Sequence, residues 1–232
     1  LPPRMSDLSR ISAEGFSLHA PAKINLFLHV TGRRDDGYHT LQSLVVFAAA
    51  GDTLSFSNHD SLFIDLQGYF GNDLGDPRDN LVYKAAQALG AEYGFAPRAH
   101  ITLQKNLPVA SGMGGGSSDA AAALNGLSRL WGLREERGRL MRIAGTLGAD
   151  VPACLMRRPV WVEGAGEKMV QQIDMPEMHL VLVTPPVATP TPQVFARFAR
   201  DFSGRYSAPI RLSGKRKTLP QWIADLRLYR NA

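Results

Sequence analysis

The sequence predicts an α+β fold, with strands and helices in separate blocks. Three observations carry that expectation. Short strand-like runs crowd the first third of the chain, helical segments follow from about residue 80, and a glycine–serine stretch sits at a passage from strand to helix. A doubly wound parallel sheet would alternate the two element types instead. The strand runs are Phe16–His19, Ile24–Val30, Leu41–Phe47, Thr53–Phe56 and Leu62–Leu66, each bounded by turn residues. Asn80–Leu89, Asp119–Trp131 and Arg134–Leu147 read as helices, the last ending at Gly148 as a C-cap, while His100–Gln104 reads as a strand. A second block has strands at Val160–Glu163 and His179–Thr184 and a proline-rich run from Pro185 to Pro192. It continues with a helix over Gln193–Phe202, an exposed basic loop over Ser203–Thr218 and a last helix over Leu219–Leu228. Two units follow, residues 1–158 and 159–232.

Composition narrows the function classes. The net charge of +5 and a pI near 9.6 favour anionic ligands, either nucleic acid or phosphorylated metabolites. Basic residues are scattered apart from Lys215-Arg216-Lys217, which argues against a nucleic-acid stripe. Cys154 is the single cysteine, so no internal disulfide forms and a reducing compartment is expected; its bland reading is a small buried apolar residue. The six histidines form no metal-binding spacing, so no dedicated metal site is expected. No apolar run reaches the roughly 20 residues of a membrane span, so a soluble chain is expected. Leu1 to Arg4 read as a remnant ahead of Met5.

The stretch Leu107-Pro108-Val109-Ala110-Ser111-Gly112-Met113-Gly114-Gly115-Gly116-Ser117-Ser118-Asp119 carries the most chemistry. Glycines there remove side chains at the point of closest approach and permit positive φ, so several N–H groups turn one way. The helix expected to follow adds its unpaired N–H groups and the positive end of its dipole, which makes a phosphate site. The stretch has no lysine where the Walker loop needs one. A flexible linker is the bland alternative.

Two further constellations matter. Within Pro21-Ala22-Lys23-Ile24-Asn25-Leu26-Phe27, a strand places Lys23, Asn25 and Phe27 on one face. Lys23 there is either an ammonium near a transferring phosphate or attacking hydroxyl, or a snorkelling edge lysine. In Gly148-Ala149-Asp150-Val151-Pro152, Asp150 reads equally as an N-cap and as a carboxylate that accepts a hydroxyl proton.

Together these pieces resemble the GHMP family of small-molecule kinases, through the proline-started loop Pro108 to Ser118. The segments Pro21–Leu26, Gly32, Asp36-Gly37-Tyr38-His39-Thr40-Leu41-Gln42-Ser43, Asp79-Asn80-Leu81, Gly148–Pro152 and Thr191-Pro192-Gln193-Val194-Phe195 occur in order over Ala20 to Phe195. They resemble the branch whose acceptor alcohol carries a diphosphocytidyl group. The resemblance implies two lobes, the first like a ribosomal-protein domain and the second ferredoxin-like. It implies Lys23 and Asp150 as the catalytic pair, and ATP with Mg2+ at Asn80 and at Pro108, Val109, Ala110, Ser111, Gly112, Met113, Gly114, Gly115, Gly116, Ser117 and Ser118. On the substrate side it implies Asn25, Tyr38, His39, Lys105, Thr191 and Phe195, with Tyr38 and Phe195 sandwiching the cytosine. It implies a cytoplasmic monomer or homodimer with a small-molecule substrate and neither nucleic acid nor membrane as partner. The third, glycine-rich motif of the family is not among these 232 residues, so the second lobe is expected to be partial.

Overall fold

A long antiparallel hairpin forms the spine of the molecule, with β1 at Phe16–Arg33 and β2 at His39–Ser57. The computed structural model describes residues 15–134, 137–185, 187, 189–201, 206–210 and 217–228. Each hairpin arm is one strand where the sequence implies two. The residues that read as breaks, Pro21 and Gly51, lie opposite one another, and a register shift between Pro21 and Lys23 absorbs two extra residues of β2. Gly51 is required by close approach, since a Cβ there would lie 2.3 Å from the Ala20 carbonyl oxygen.

β2 pairs with β1 along one edge. Along the other it pairs with β4 (Ala99–Gln104) through its C-terminal half and with β5 (Val160–Gly164) through its N-terminal half. β3 (Leu62–Gln67) lies parallel outside β4, and β6 (Lys168–Gln172) lies antiparallel outside β5. Strand β6 was not anticipated, and with β5 it extends the sheet that holds β1 to β4. The expected boundary at 158/159 therefore cuts a continuous sheet.

Helix α1 (Leu81–Tyr93) is capped by Asn80, whose Oδ1 accepts the Val82 N–H at 2.9 Å, and it ends at Gly94 in the left-handed region. Helix α2 (Gly115–Leu130) begins four residues earlier than expected, because Gly114 takes φ +59° and the next residues turn straight into helix. Ala120 to Ala123 are all buried, and their small side chains let neighbouring elements close on α2 from every side. Phe56 of the sheet fills the space beside Gly126, where a Cβ would sit 2.3 Å from its ring. Around these gather Leu54, Ile101 and Leu103 of the sheet, Val82 and Leu89 of α1, Leu140 of α3 (Arg137–Leu147) and Val151 of α4 (Val151–Met156). Each large side chain so buried stabilises the fold by about 1.5–3 kcal/mol.

The opposite face of the hairpin holds a second cluster of Phe27, Leu44, Trp161 and Trp222, the last from α6 (Leu219–Leu228). Part of the loop expected to be exposed docks here. The Ser207 N–H donates to the Val30 carbonyl at 3.0 Å, and the Ile210 N–H donates to Gln42 Oε1 at 2.6 Å. The expected strand His179–Thr184 is not in the sheet. Leu182 packs against Ala22, Leu107 and Met113 while Val181 and Val183 are exposed, but the segment forms no ladder with the sheet. Helix α5 (Thr191–Asp201) starts two residues before the expected point. Leu1 to Arg4, Phe202, Lys215 and Arg216 lie outside the described residues. Among the described residues no helix is long and apolar enough to cross a membrane.

Candidate active site

Lys23 and Asp150 come together from elements 127 positions apart in sequence. The ammonium lies 3.0 Å from Asp150 Oδ1 and donates to Asn25 Oδ1, also at 3.0 Å. Lys23 is 5% exposed, whereas the Asp150 side chain is 45% exposed, so the pair is open on the carboxylate side. Asp150 precedes α4 but makes no side-chain cap bond, and its backbone is already helical (φ −84°, ψ −20°). Of its two readings, the cap is the one the geometry does not use. Asn25 in turn donates to Ser43 Oγ at 2.6 Å, and Ser43 donates to the Phe27 carbonyl at 2.7 Å. This chain of bonds orients the amide so that its oxygen meets the lysine.

Asn25 and Phe27 do not share a face, contrary to the two-residue period. A register shift between them pairs Asn25 with Val45 but Phe27 with Leu44, adjacent residues on opposite sides of β2. The bulge sends Phe27 into the cluster with Trp161 and Trp222 and leaves Asn25 beside Lys23.

The glycine stretch lies directly against this pair. The Lys23 backbone N–H donates to the Met113 carbonyl at 2.8 Å, and a Cβ on Gly114 would lie 2.8 Å from Lys23 Cε and 2.9 Å from its Cβ. Only Pro108 to Gly114 form a loop. Gly115, Gly116, Ser117 and Ser118 are the first turn of α2, whose first intrahelical bond runs from the Ser118 N–H to the Gly114 carbonyl at 2.9 Å. The N–H groups of Gly115, Gly116 and Ser117 thus have no partner four residues back, as a phosphate site needs. Ser111 Oγ donates to the Pro108 carbonyl at 2.8 Å, and Ala110 takes φ +51°, a left-handed conformation unusual for alanine. The Ala110 carbonyl accepts the Thr189 N–H at 2.9 Å, tying the loop to the approach to α5 and hence to Thr191 and Phe195. A cleft of about 310 Å³ opens beside the loop, lined by Asn25, Ser111, Gly112, Met113, Leu182 and Thr184 among others. A larger cavity of about 430 Å³ between α2, α3 and α4 contains none of the predicted site residues.

Phe195 stacks on His39 with ring centroids 5.4 Å apart and planes at 24°, and Phe198 meets the same imidazole edge-on at 5.4 Å. Burial, and then the nearby Arg33 guanidinium, hold the His39 pKa below the usual histidine value, so the ring is neutral. His39 is 7% exposed, and its Nε2 has no hydrogen-bond partner among the described residues. Tyr38 is 66% exposed at the hairpin tip, where Asp36 Oδ1 accepts its N–H at 3.1 Å and Gly37 takes φ +87°. Arg34 bridges Asp36 at 2.7 Å and Glu167 at 3.3 Å, fastening this tip to the β5–β6 turn.

Lys105, expected as a substrate contact, is enclosed, with its ammonium already held by protein groups. It is 2% exposed, and its ammonium is held by Asp52 Oδ2 at 2.6 Å and Asp119 Oδ2 at 2.7 Å. Burial opposes its charge, but the two carboxylates outweigh burial and raise its pKa. Asp119 is pushed up to about 7 by burial, against the pull of Lys105 and with the push of Asp52. Asn80 serves as the α1 cap described above, next to the 3-10 turn Pro77–Asp79. Sequence reasoning missed Ser43, Asp52, Asp119 and Phe198. Ser43 lay within a quoted motif, while Asp52 was hidden as an apparent turn residue after Gly51. Among the described residues no group of three His, Cys, Asp or Glu side chains could hold a metal.

A proline-led glycine loop opens a buried helix over a lysine–aspartate pair, and residues 80–158, which hold the loop and Asp150, match the GHMP kinases N terminal domain. The chain is 50% identical over 188 residues to the 4-diphosphocytidyl-2-C-methyl-D-erythritol kinase of Paramagnetospirillum magneticum, covering 81% of this chain and 66% of that one. It is 47% identical over 215 residues to the enzyme of the same name from Granulibacter bethesdensis, covering 91% and 70%. A crystal structure of 4-(cytidine 5'-diphospho)-2C-methyl-D-erythritol kinase superposes with a TM-score of 0.65 at 34% identity, over 82% of this chain and 67% of that one. The chain belongs to the family of 4-diphosphocytidyl-2-C-methyl-D-erythritol kinases. It spans about two thirds of the length of these curated relatives.

Proposed function

We propose that this chain transfers the γ-phosphoryl group of ATP to the 2-hydroxyl of 4-diphosphocytidyl-2-C-methyl-D-erythritol, a step toward isoprenoid precursors in the cytoplasm. The observation that carries the reading is the Lys23–Asp150 contact of 3.0 Å set against the glycine loop, with Asp150 released from capping and half exposed. Asp150 accepts the proton of the acceptor hydroxyl as its oxygen bonds to phosphorus and the bond from phosphorus to the ADP oxygen breaks. Lys23, fixed by Asn25 and by the Met113 carbonyl, stabilises the alkoxide and the equatorial charge. The first-turn N–H groups of α2 hold the phosphates without reorganising, so positioning and electrostatics supply most of the acceleration.

Magnesium carried by the nucleotide supplies further neutralisation of the phosphates. Ser117, half-buried in the first turn of α2, is the hydroxyl best placed to contact it; Ser118 is buried. Further along β2 the neutral His39, with one ring nitrogen in need of a partner, fits the hydrogen-bonding edge of a cytosine. Phe195 and the exposed Tyr38 offer aromatic faces to the base, and Thr191, exposed at the start of α5, offers a hydroxyl. The division into two lobes enclosing this site, in a monomer or homodimer, forms part of the same proposal. Asp150→Asn tests it. The account expects kcat to fall by at least about a hundredfold, the lower end of a general base's contribution, with Mg-ATP affinity within about threefold of the wild type. Equal loss of both would return Asp150 to a structural role.

A further inference from the structure

We propose that the buried Asp52–Lys105–Asp119 cluster is the positioning device of the phosphate loop, setting the height of the first turn of α2 against the loop's entrance; this rests on the nucleotide reading above. The cluster joins three elements. Asp52 comes from the C-terminal half of β2, Lys105 follows β4, and Asp119 is the fifth residue of α2. Asp52 divides its oxygens between two tasks. Oδ1 accepts the N–H groups of Asn106 at 2.6 Å and Leu107 at 2.8 Å, the residues that lead into the loop, while Oδ2 holds the ammonium at 2.6 Å. Asp119 takes the same ammonium at 2.7 Å from the loop's far side. Both ends of the stretch from Pro108 to Ser118 are thereby anchored to one nitrogen atom.

That nitrogen lies immediately beneath the phosphate-facing backbone. A Cβ on Gly115, the first residue of α2, would come within 2.9 Å of Lys105 Nζ and 3.5 Å of Asp52 Oδ2. Lys105 is itself immobilised by its backbone, which donates to the Gln67 carbonyl at 2.8 Å and accepts the Phe70 N–H at 3.1 Å. Burying three ionisable side chains is a poor way to gain stability, since apolar replacements of such clusters are often neutral or stabilising. What apolar packing would not supply is the fixed distance from loop entrance to helix start. The N–H groups of Gly115, Gly116 and Ser117 then meet the phosphates at one height, and Gly114 stays against Lys23.

The test uses the full chain and two variants, Asp119→Asn, which keeps shape and removes charge, and Lys105→Met, which removes the anchor. Equilibrium affinity for Mg-ATP is measured without acceptor, followed by KM for each substrate and kcat. The proposal predicts that Asp119→Asn weakens Mg-ATP binding about tenfold or more and lowers kcat, as expected for a misplacement on the order of 1 Å, while KM for the acceptor stays within about twofold. Mg-ATP affinity within about twofold of wild type in either folded variant, with loss confined to the unfolding midpoint, overturns it. So does a wild-type chain that binds no Mg-ATP. A wild type that binds Mg-ATP but does not phosphorylate the cytidyl acceptor defeats the functional reading alone, and the nucleotide affinities still decide the role of the cluster. Should Lys105→Met not fold, the decision rests on Asp119→Asn.

Discussion

Replacing Gly114 by alanine strikes the loop and Lys23 at once. Gly114 sits at φ +59°, where an L-residue loses roughly 1–2 kcal/mol relative to glycine. The added methyl would also meet Lys23 Cε at 2.8 Å and Lys23 Cβ at 2.9 Å, short of the ordinary carbon contact of about 3.5–4.0 Å. Cε can swing aside, but Cβ is fixed to a backbone whose N–H holds the Met113 carbonyl. Overpacking of this kind costs about 1–3 kcal/mol, so a total loss of about 2–5 kcal/mol is expected. Relief by moving Lys23 on the order of 1 Å would lower kcat/KM about a hundredfold. Urea denaturation and ADP release measure the two effects, and Gly114→Asn separates them. Asparagine tolerates the left-handed backbone but keeps the Cβ, so it should regain part of the stability and none of the rate. Activity within about twofold of wild type and a stability loss under about 0.5 kcal/mol for Gly114→Ala would refute the contact between loop and lysine.

Two further predictions follow from the same geometry. Phe195→Ala should raise KM for the cytidyl acceptor by about 5- to 100-fold, the range of one base-stacking contact, and leave KM for ATP unchanged; equal changes in both would remove Phe195 from the acceptor site. Asp119 links stability to pH, with Asp52 of β2 and Lys105 after β4 as the charged groups facing it. Its folded-state pKa, about 7, lies above the ordinary 3.8, so the native state binds a proton that the unfolded chain has released between those values. The contribution is therefore fully present below pH 4 and lost as pH rises through about 7, by at most about 4 kcal/mol. Denaturation midpoints between pH 5 and 8 should fall more steeply for the wild type than for Asp119→Asn, and parallel curves would count against the shift.

The parts of the site legible in the sequence are those whose chemistry is written in consecutive residues. The glycine loop, Lys23 and Asp150 each sat in such a run, although only the fold brings Lys23 and Asp150 within 3.0 Å. The buried cluster was not legible, because Asp52 and Lys105 are 53 positions apart and an aspartate after Gly51 looks like a turn. The partners of Lys105 were not legible for the same reason, since nothing near it in sequence shows that Asp52 and Asp119 hold its ammonium. Helix propensity placed the start of α2 after the glycines, whereas close contacts with Lys23 and Lys105 require glycine at Gly114 and Gly115. The bulge after Asn25 defeated the two-residue period, and β1 and β2 read as four strands because Pro21 and Gly51, each a local break, face one another in the ladder. His179–Thr184 shows the converse, an alternating pattern that packs Leu182 against the sheet without pairing with it.

The most direct test of the central claim is ADP release by this 232-residue chain with Mg-ATP and 4-diphosphocytidyl-2-C-methyl-D-erythritol, run beside mevalonate and homoserine. The account predicts turnover with the cytidyl acceptor alone. Equal turnover with the smaller alcohols, or none with any acceptor by a folded chain that binds Mg-ATP, would contradict it.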